Sequence, residues 1–298
     1  MSRHLLDIDD LSAAELASVL DLGMDENPPR VLAGRGVALV FQKPSARTRN
    51  SSEMAVFHLG GHPVTIRDDE VGLDTRESAE DVARTLSQYY AATGARVLDH
   101  GVLERMAAVS TVPVINLLSD RSHPLQAIAD LMTLRAHWGG HLEGHRVAWV
   151  GDGNNVARSF ALACALTGVE VALATPPGHG LDDLTLDAVV ALGGTVTEAL
   201  SPAEAVAGAE AVCTDVWVSM GQEAERMARR AAFAPYQVGA PLMAQAAPGA
   251  VFLHCLPAHR GEEVTAEVID GPASLVWPQA GNRLRAMRGL LSWMFGAQ

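Results

Sequence analysis

The chain has 298 residues, 48% hydrophobic and 19% charged, which excludes a disordered polyelectrolyte and supplies apolar surface for a large core. At roughly 150 residues per domain, two domains are expected. Lys+Arg number 22 and Asp+Glu 35, so the formal charge is −13; this argues against a generic nucleic-acid binder but leaves room for a local cluster of cations around an anionic substrate.

Along the chain, apolar β-rich runs predict strands at Val37–Phe41, Pro63–Ile66, Ala95–Leu98, Val112–Asn116 and Arg146–Val150, then at Glu170–Ala174, Thr195–Ala199, Ala211–Asp215 and Val251–His254. Helical periods separate them at Arg47–Leu59, Ser78–Tyr90, Leu125–His137, Val156–Leu166 and Leu184–Leu192. This alternation predicts an α/β fold of two doubly wound parallel-sheet domains, since continuous apolar strands need cover on both faces. The glycine-marked break at His137-Trp138-Gly139-Gly140-His141 sets the domains at 1–136 and 142–277. The final segment, 278–298, carries an amphipathic stretch over Asn282–Phe295 that is expected to pack back on the first domain.

Cys164, Cys213 and Cys255 are too widely spaced for a disulfide framework, so a reducing compartment is expected. Acids within the first ten residues are unlike a signal peptide, and the most apolar stretch, Ser159–Thr175, is interrupted by Thr167, Gly168 and Glu170. A cytoplasmic location away from membranes is the expectation.

In open parallel sheets, ligands sit beyond the carboxyl ends of strands. Five features of the loops there stand out. Lys43-Pro44-Ser45-Ala46-Arg47-Thr48-Arg49 packs hydroxyls and guanidiniums into a helix start, where free N–H groups and the dipole favour an anion. The same residues equally read as an N-cap with cations on a solvated face. Lys43 is the only lysine in the chain, and a structural role is expected for it. Arg96 stands alone in an apolar run and wants an anionic partner, structural or ligand. Ser122-His123-Pro124-Leu125-Gln126 offers donors and an acceptor suited to an amide-like group, or simply a cap with proline in the first turn.

Gly151-Asp152-Gly153-Asn154-Asn155-Val156 resembles a dinucleotide loop but lacks the third glycine and a following acid, so NAD is not expected. Late in the chain, Asp215-Val216-Trp217-Val218-Ser219-Met220-Gly221 supplies a carboxylate for an ammonium. His254-Cys255-Leu256-Pro257-Ala258-His259-Arg260 supplies a thiol and an exposed carbonyl for a second amine. His254, Cys255 and His259 also raise a metal reading, but they lack a converging ligand cluster in the sequence, and no metal is expected.

Taken together, KPSARTR, SHPLQ, GDGNNV, DVWVSMGQE and HCLPAHRGEEV follow the order and spacing of the aspartate/ornithine carbamoyltransferase family, which the chain resembles from about Leu6 to its last helix. DxxxSMG with HCLPAHRGEE resembles the ornithine branch. The resemblance implies a trimer of chains, each with a carbamoyl-phosphate domain first and an amino-acid domain second. It implies that Ser45, Ala46, Arg47 and Thr48 wrap the phosphate and that Arg96 binds phosphate and carbonyl oxygen. By the same resemblance, His123, Pro124, Leu125 and Gln126 hold the carbamoyl group, and Arg283 joins from the last helix. Asn155, Asp215, Ser219 and Met220 match ornithine contacts. Cys255 and the Leu256 carbonyl lie near the reacting nitrogen, with Leu256-Pro257 expected to be cis. Arg47, Arg96, His123 and Cys255 are the implied catalytic residues, and no cofactor is implied.

The implied reaction carries a carbamoyl group from carbamoyl phosphate to the δ-amine of L-ornithine. Cations polarise the anhydride, the neutral amine attacks, and the departing phosphate accepts the proton. Domain closure is expected to exclude water. Ala46 stands where the family usually has threonine, Gly72 where it commonly offers a glutamine, and Asn50 and Ser52 where apolar residues are typical. Gln279-Ala280-Gly281-Asn282 lacks two acids often found before Arg283. These departures motivate two alternatives: a carbamoyltransferase for another amine, or a non-catalytic paralogue that binds carbamoyl phosphate.

Overall fold

A computed structural model describes residues 3–218 and 222–296. The chain forms two compact units, one running to Met132 and resuming at Gly281, the other Thr133–Ala280. In the first unit the helices are α1 Ala13–Met24, α2 Ala46–His58, α3 Asp68–Val71, α4 Ala79–Tyr89, α5 His100–Val109 and the start of α6 Pro124–His137. Its strands are β1 Gly36–Phe41, β2 His62–Arg67, β3 Ala92–Arg96 and β4 Val114–Leu118, all parallel in the order β2-β1-β3-β4.

The second unit has parallel strands β5 Arg146–Val150, β6 Glu170–Ala174, β7 Val196–Glu198, β8 Ala211–Thr214 and β9 Val251–His254, ordered β7-β6-β5-β8-β9. Its helices are α7 Asn155–Thr167, α8 Asp183–Ala191, α9 Pro202–Val206, α10 Arg226–Phe233, α11 Ala240–Met243, α12 Ala266–Ile269 and the start of α13 Val276–Met294.

The cores follow the apolar runs. Ala38, Val40, Ala95 and Val114 are buried with Val82, Leu86, Leu103 and Met106 in the first unit. Ala148, Val150, Val212 and Phe252 are buried with Val206, Val264 and Val276 in the second. The strand order reverses between β1 and β3 in one sheet and between β5 and β8 in the other. At such reversals the connections leave towards opposite faces and open a crevice at the strand ends. The candidate loops after β1, β3, β5 and β8 stand there.

Two strands are displaced from their predicted ranges, the third towards the N-terminus and the fourth towards the C-terminus. β3 is Ala92–Arg96 rather than Ala95–Leu98, because Thr93 and Gly94 mask its buried start, and Leu98 is exposed. β4 is Val114–Leu118 rather than Val112–Asn116: Pro113 has no N–H for the ladder, and the Val112 N–H is taken by Ser110 Oγ. The last helix, α13, starts at Val276 rather than in the 278–298 segment as proposed, tolerating Pro278 because the first turn needs no intrahelical N–H partners. Within the first unit, α13 meets α1 backbone to backbone: a Cβ on Gly289 would lie 2.3 Å from the Val19 carbonyl oxygen. Arg288 donates to the carbonyls of Gly23 and Asp25. Among the described residues, no helix is long and apolar enough to cross a membrane.

Candidate active site

In the first unit, α2 begins at the reversal. Ser45 Oγ accepts from the Thr48 N–H at 3.3 Å and caps the helix, so the cap reading of Ser45 is present in the structure. Ala46 and Arg47 are exposed on the first turn, and Arg47 has no ion-pair partner among the described residues. Thr48 turns inward and is buried.

Around Thr48 converge three distant elements. Arg96, the last residue of β3, places Nη1 3.3 Å from Thr48 Oγ1. Arg283 of α13 places Nη2 3.4 Å from the same oxygen. Nη1 of Arg283 lies 2.9 Å from His123 Nε2 and 2.5 Å from Gln126 Oε1. Arg96, His123, Gln126 and Arg283 are each at most 8% exposed. Arg96 and Arg283 thus bring two buried guanidiniums to one hydroxyl, and an anion bound beside Thr48 would meet both positive charges.

Burial, reinforced by Arg283 and Arg96, pushes the His123 imidazole well below its ordinary value, so the ring is neutral. Arginine can only donate, so Nε2 of His123 accepts and the proton of the unliganded ring sits on Nδ1. Gln126 is oriented without ambiguity: its Nε2 donates to Asp130 Oδ1 at 2.7 Å, leaving Oε1 towards the cations. Pro124 and Leu125 open α6; the Leu125 side chain is buried, so only its backbone is available to a ligand. Gly72 is the left-handed C-cap of α3, at φ 60°.

In the second unit, Asn154 caps α7 with Oδ1 and donates Nδ2 to Asp215 Oδ2 at 2.8 Å. Cys255 Sγ donates to Asp215 Oδ1 at 3.1 Å. Asn155 starts α7, but the residue bonded to Asp215 is its neighbour Asn154, which sequence reasoning passed over. The available signal was the asparagine directly before a helical period, an N-cap whose amide nitrogen is left for a further partner. Ser219 and Met220 lie outside the described residues.

His254 is held by both nitrogens. The Leu256 N–H donates to Nδ1 at 2.9 Å, so the Nε2–H points to Glu263 Oε1 at 3.1 Å. Glu263 also accepts from the His259 N–H. Leu256-Pro257 is cis. Asp215, His254 and Cys255 offer ligand atoms within 4.8 Å of one another, the grouping with which a metal ion could be held. Each of those residues already has a protein partner, and the His254 nitrogens would have to give theirs up.

Sequence reasoning also missed the carboxylates that orient these groups. Asp152, buried in the loop after β5, pairs with Arg229 of α10 at 2.5 Å. Burial pushes the Asp152 carboxyl up, Arg229 opposes that rise, and Asp215 adds to it.

Similarity to known proteins extends over nearly the whole chain. Residues 3–136 match the family described as aspartate/ornithine carbamoyltransferase, carbamoyl-P binding domain, and residues 143–294 match its Asp/Orn binding domain. The chain is 47% identical to the ornithine carbamoyltransferase of Acidothermus cellulolyticus, over 100% of this chain and 98% of that one. It is 45% identical to the anabolic ornithine carbamoyltransferase of Pyrococcus furiosus, over 99% of this chain and 96% of that one. The solved ornithine carbamoyltransferase from Thermus thermophilus superposes with a TM-score of 0.90 at 41% identity, over 99% of this chain and 100% of that one.

Proposed function

The chain belongs to the aspartate/ornithine carbamoyltransferase family, and from that premise we propose that it transfers the carbamoyl group of carbamoyl phosphate to the δ-amine of L-ornithine, giving L-citrulline and phosphate. The observation that carries this reading is the convergence of Thr48, Arg96, His123, Gln126 and Arg283 in one buried cluster of the first unit. An anion with an adjoining amide fits that donor set, and carbamoyl phosphate is such a molecule.

The proposed roles follow from each group's chemistry. Ser45, Ala46, Arg47 and Thr48 present hydroxyls, N–H groups and a guanidinium to the phosphate, at a helix start that already favours an anion. Arg96 and Arg283 neutralise phosphate charge and draw electrons from the carbonyl oxygen. Neutral His123 donates a hydrogen bond to that oxygen without being consumed as an acid. Gln126 Oε1, fixed by Asp130, accepts from the carbamoyl NH2. Pro124 and the Leu125 backbone complete the turn that places these groups.

In the second unit, Asp215 receives the α-ammonium of ornithine, with Asn155, Ser219 and Met220 as further contacts. Cys255 and the Leu256 carbonyl face the δ-nitrogen. A δ-amine is largely protonated near neutral pH, so the pocket must favour its neutral form. The nitrogen lone pair forms the new C–N bond, an oxyanion develops on the carbonyl oxygen, and the C–O bond to phosphate breaks. The leaving phosphate takes the amine proton. No cofactor takes part in this scheme. The same reading includes a homotrimer working in the cytoplasm, with no nucleic-acid or membrane partner.

Incubating the purified protein with both substrates should yield citrulline and phosphate in equal amounts. Absence of turnover with both substrates saturating removes the proposal. Preference for putrescine or an acylated ornithine redirects it to another acceptor.

A further inference from the structure

Asp215 lies between two chain segments that are fixed by one buried cation. Arg229 places Nη2 2.5 Å from Asp152 Oδ2, in the loop after β5, and donates from Nε to the Trp217 carbonyl at 2.5 Å, in the segment after β8. Its side chain is 6% exposed, and its guanidinium lies 5.0 Å from the Phe233 ring centre. Trp217 and His179 pack on that same fully buried ring.

The loop after β5 is pinned independently. The Gly153 N–H donates to the His179 carbonyl at 2.8 Å, and a Cβ on Gly153 would lie 2.5 Å from Gly180. Trp149 Nε1 donates to the Asp152 carbonyl at 2.9 Å. The contacts then close a ring. Asp152 is two residues before Asn154, whose amide holds Asp215; Trp217 is two residues after Asp215; Arg229 joins Asp152 to Trp217.

We infer that Arg229 is a positioning residue for the acceptor pocket: by joining Asp152 to the Trp217 carbonyl it fixes the angle at which Asp215 meets the ammonium of the amino-acid substrate. The inference rests on the proposed function. It adds a residue that contacts neither reactant and controls affinity for one of them.

Arginine suits this position for two reasons. Its planar fork sends separate donors to a carboxylate and a carbonyl, whereas lysine has one nitrogen for both. It also supplies the countercharge for Asp152. Without it, two carboxylates would share a buried neighbourhood, and Asp152 would either take up a proton or repel Asp215. Both outcomes disturb Asp215 and leave the cluster of the first unit intact.

The test compares wild type with Arg229→Gln and Arg229→Lys, measuring citrulline formation against ornithine concentration and carbamoyl-phosphate affinity by calorimetry. Arg229→Gln should raise KM for ornithine by about 10-fold, equivalent to ~1.4 kcal/mol, with a smaller loss in kcat and unchanged carbamoyl-phosphate affinity. Arg229→Lys should recover part of the loss. A purely structural role would weaken both substrates in proportion and would not produce that split. Should Arg229→Gln fail to fold, Arg229→Lys and the near-isosteric Asp152→Asn decide the matter, since each breaks one arm of the link. Unchanged ornithine KM in a folded variant, or equal loss for both substrates, overturns the inference. An inactive wild type would instead sink the functional reading and this inference with it, a result seen before any substitution is made.

Discussion

Arg283 and His123 are 160 positions apart in the chain, yet Nη1 of the first lies 2.9 Å from Nε2 of the second. The contact sets the tautomer of the imidazole and adds to the burial that keeps it neutral, while the same Arg283 nitrogen donates to Gln126 Oε1.

Replacing Arg283 with methionine removes the charged donor while keeping much of the side-chain volume. Hydrogen bonds to charged groups contribute about 1.5–3 kcal/mol, so carbamoyl-phosphate affinity should fall roughly 10- to 150-fold by calorimetry. The ornithine contacts proposed for the second unit should be unaffected. A variant that keeps wild-type affinity would show that Arg283 is not a phosphate ligand.

His123 also predicts how stability depends on pH. Its folded value is depressed below 6.5, so the unfolded chain binds a proton that the folded one refuses. The contribution is therefore fully present above pH 6.5 and is lost as pH falls from there towards the folded value. Thermal midpoints should drop between pH 7.5 and 5.5. His123→Asn should flatten that slope only in part, because burial also holds His4 and His100 low. A slope that does not change on substitution would contradict the neutral, buried imidazole.

On the proposed role of Asp215 as partner of the amino-acid ammonium, Asp215→Asn should weaken use of ornithine and spare carbamoyl-phosphate binding. Asn154→Ala removes the donor to Asp215 and the cap of α7 together. It should cost about 1 kcal/mol of stability in urea unfolding and also raise the KM for ornithine. If Asn154→Ala were destabilised with unchanged ornithine kinetics, the cap would be its sole role.

Gly289→Ala tests the crossing of α13 with α1. A methyl group there meets the Val19 carbonyl oxygen at 2.3 Å, so overpacking should destabilise the protein by about 1–3 kcal/mol in urea unfolding. Gly34, at φ 72° with open space around it, makes a useful contrast: Gly34→Ala carries backbone strain without a clash.

Much of the architecture could be read from the chain because its strands are buried on both faces. Such strands appear as unbroken apolar runs, and Arg146–Val150, Glu170–Ala174 and Val251–His254 fall where those runs predict. β3 was harder to place, since Thr93 and Gly94 carry little apolar signal although both are buried. Helices α1 and α5 carry a legible period, in Leu16, Val19 and Leu20 and in Val102, Leu103 and Met106, that a reading led by strands and loops omits, whereas in α10 arginines interrupt it. In the site, the groups offered to ligands sit in recognisable motifs after strands. Their supports do not: Asp130 reaches Gln126 along one helix, whereas Arg229 reaches Asp152 across 77 positions of chain. No local pattern encodes a partner that only the folded topology brings near.

Because α13 supplies both Arg283 and the backbone surface that seats against α1, synthesis order matters. Residues 133–275 leave the ribosome before the final helix does, so most of the second unit can consolidate while the first still lacks a wall. On the proposed roles, anion capture by the nascent polypeptide waits for Arg283 to emerge.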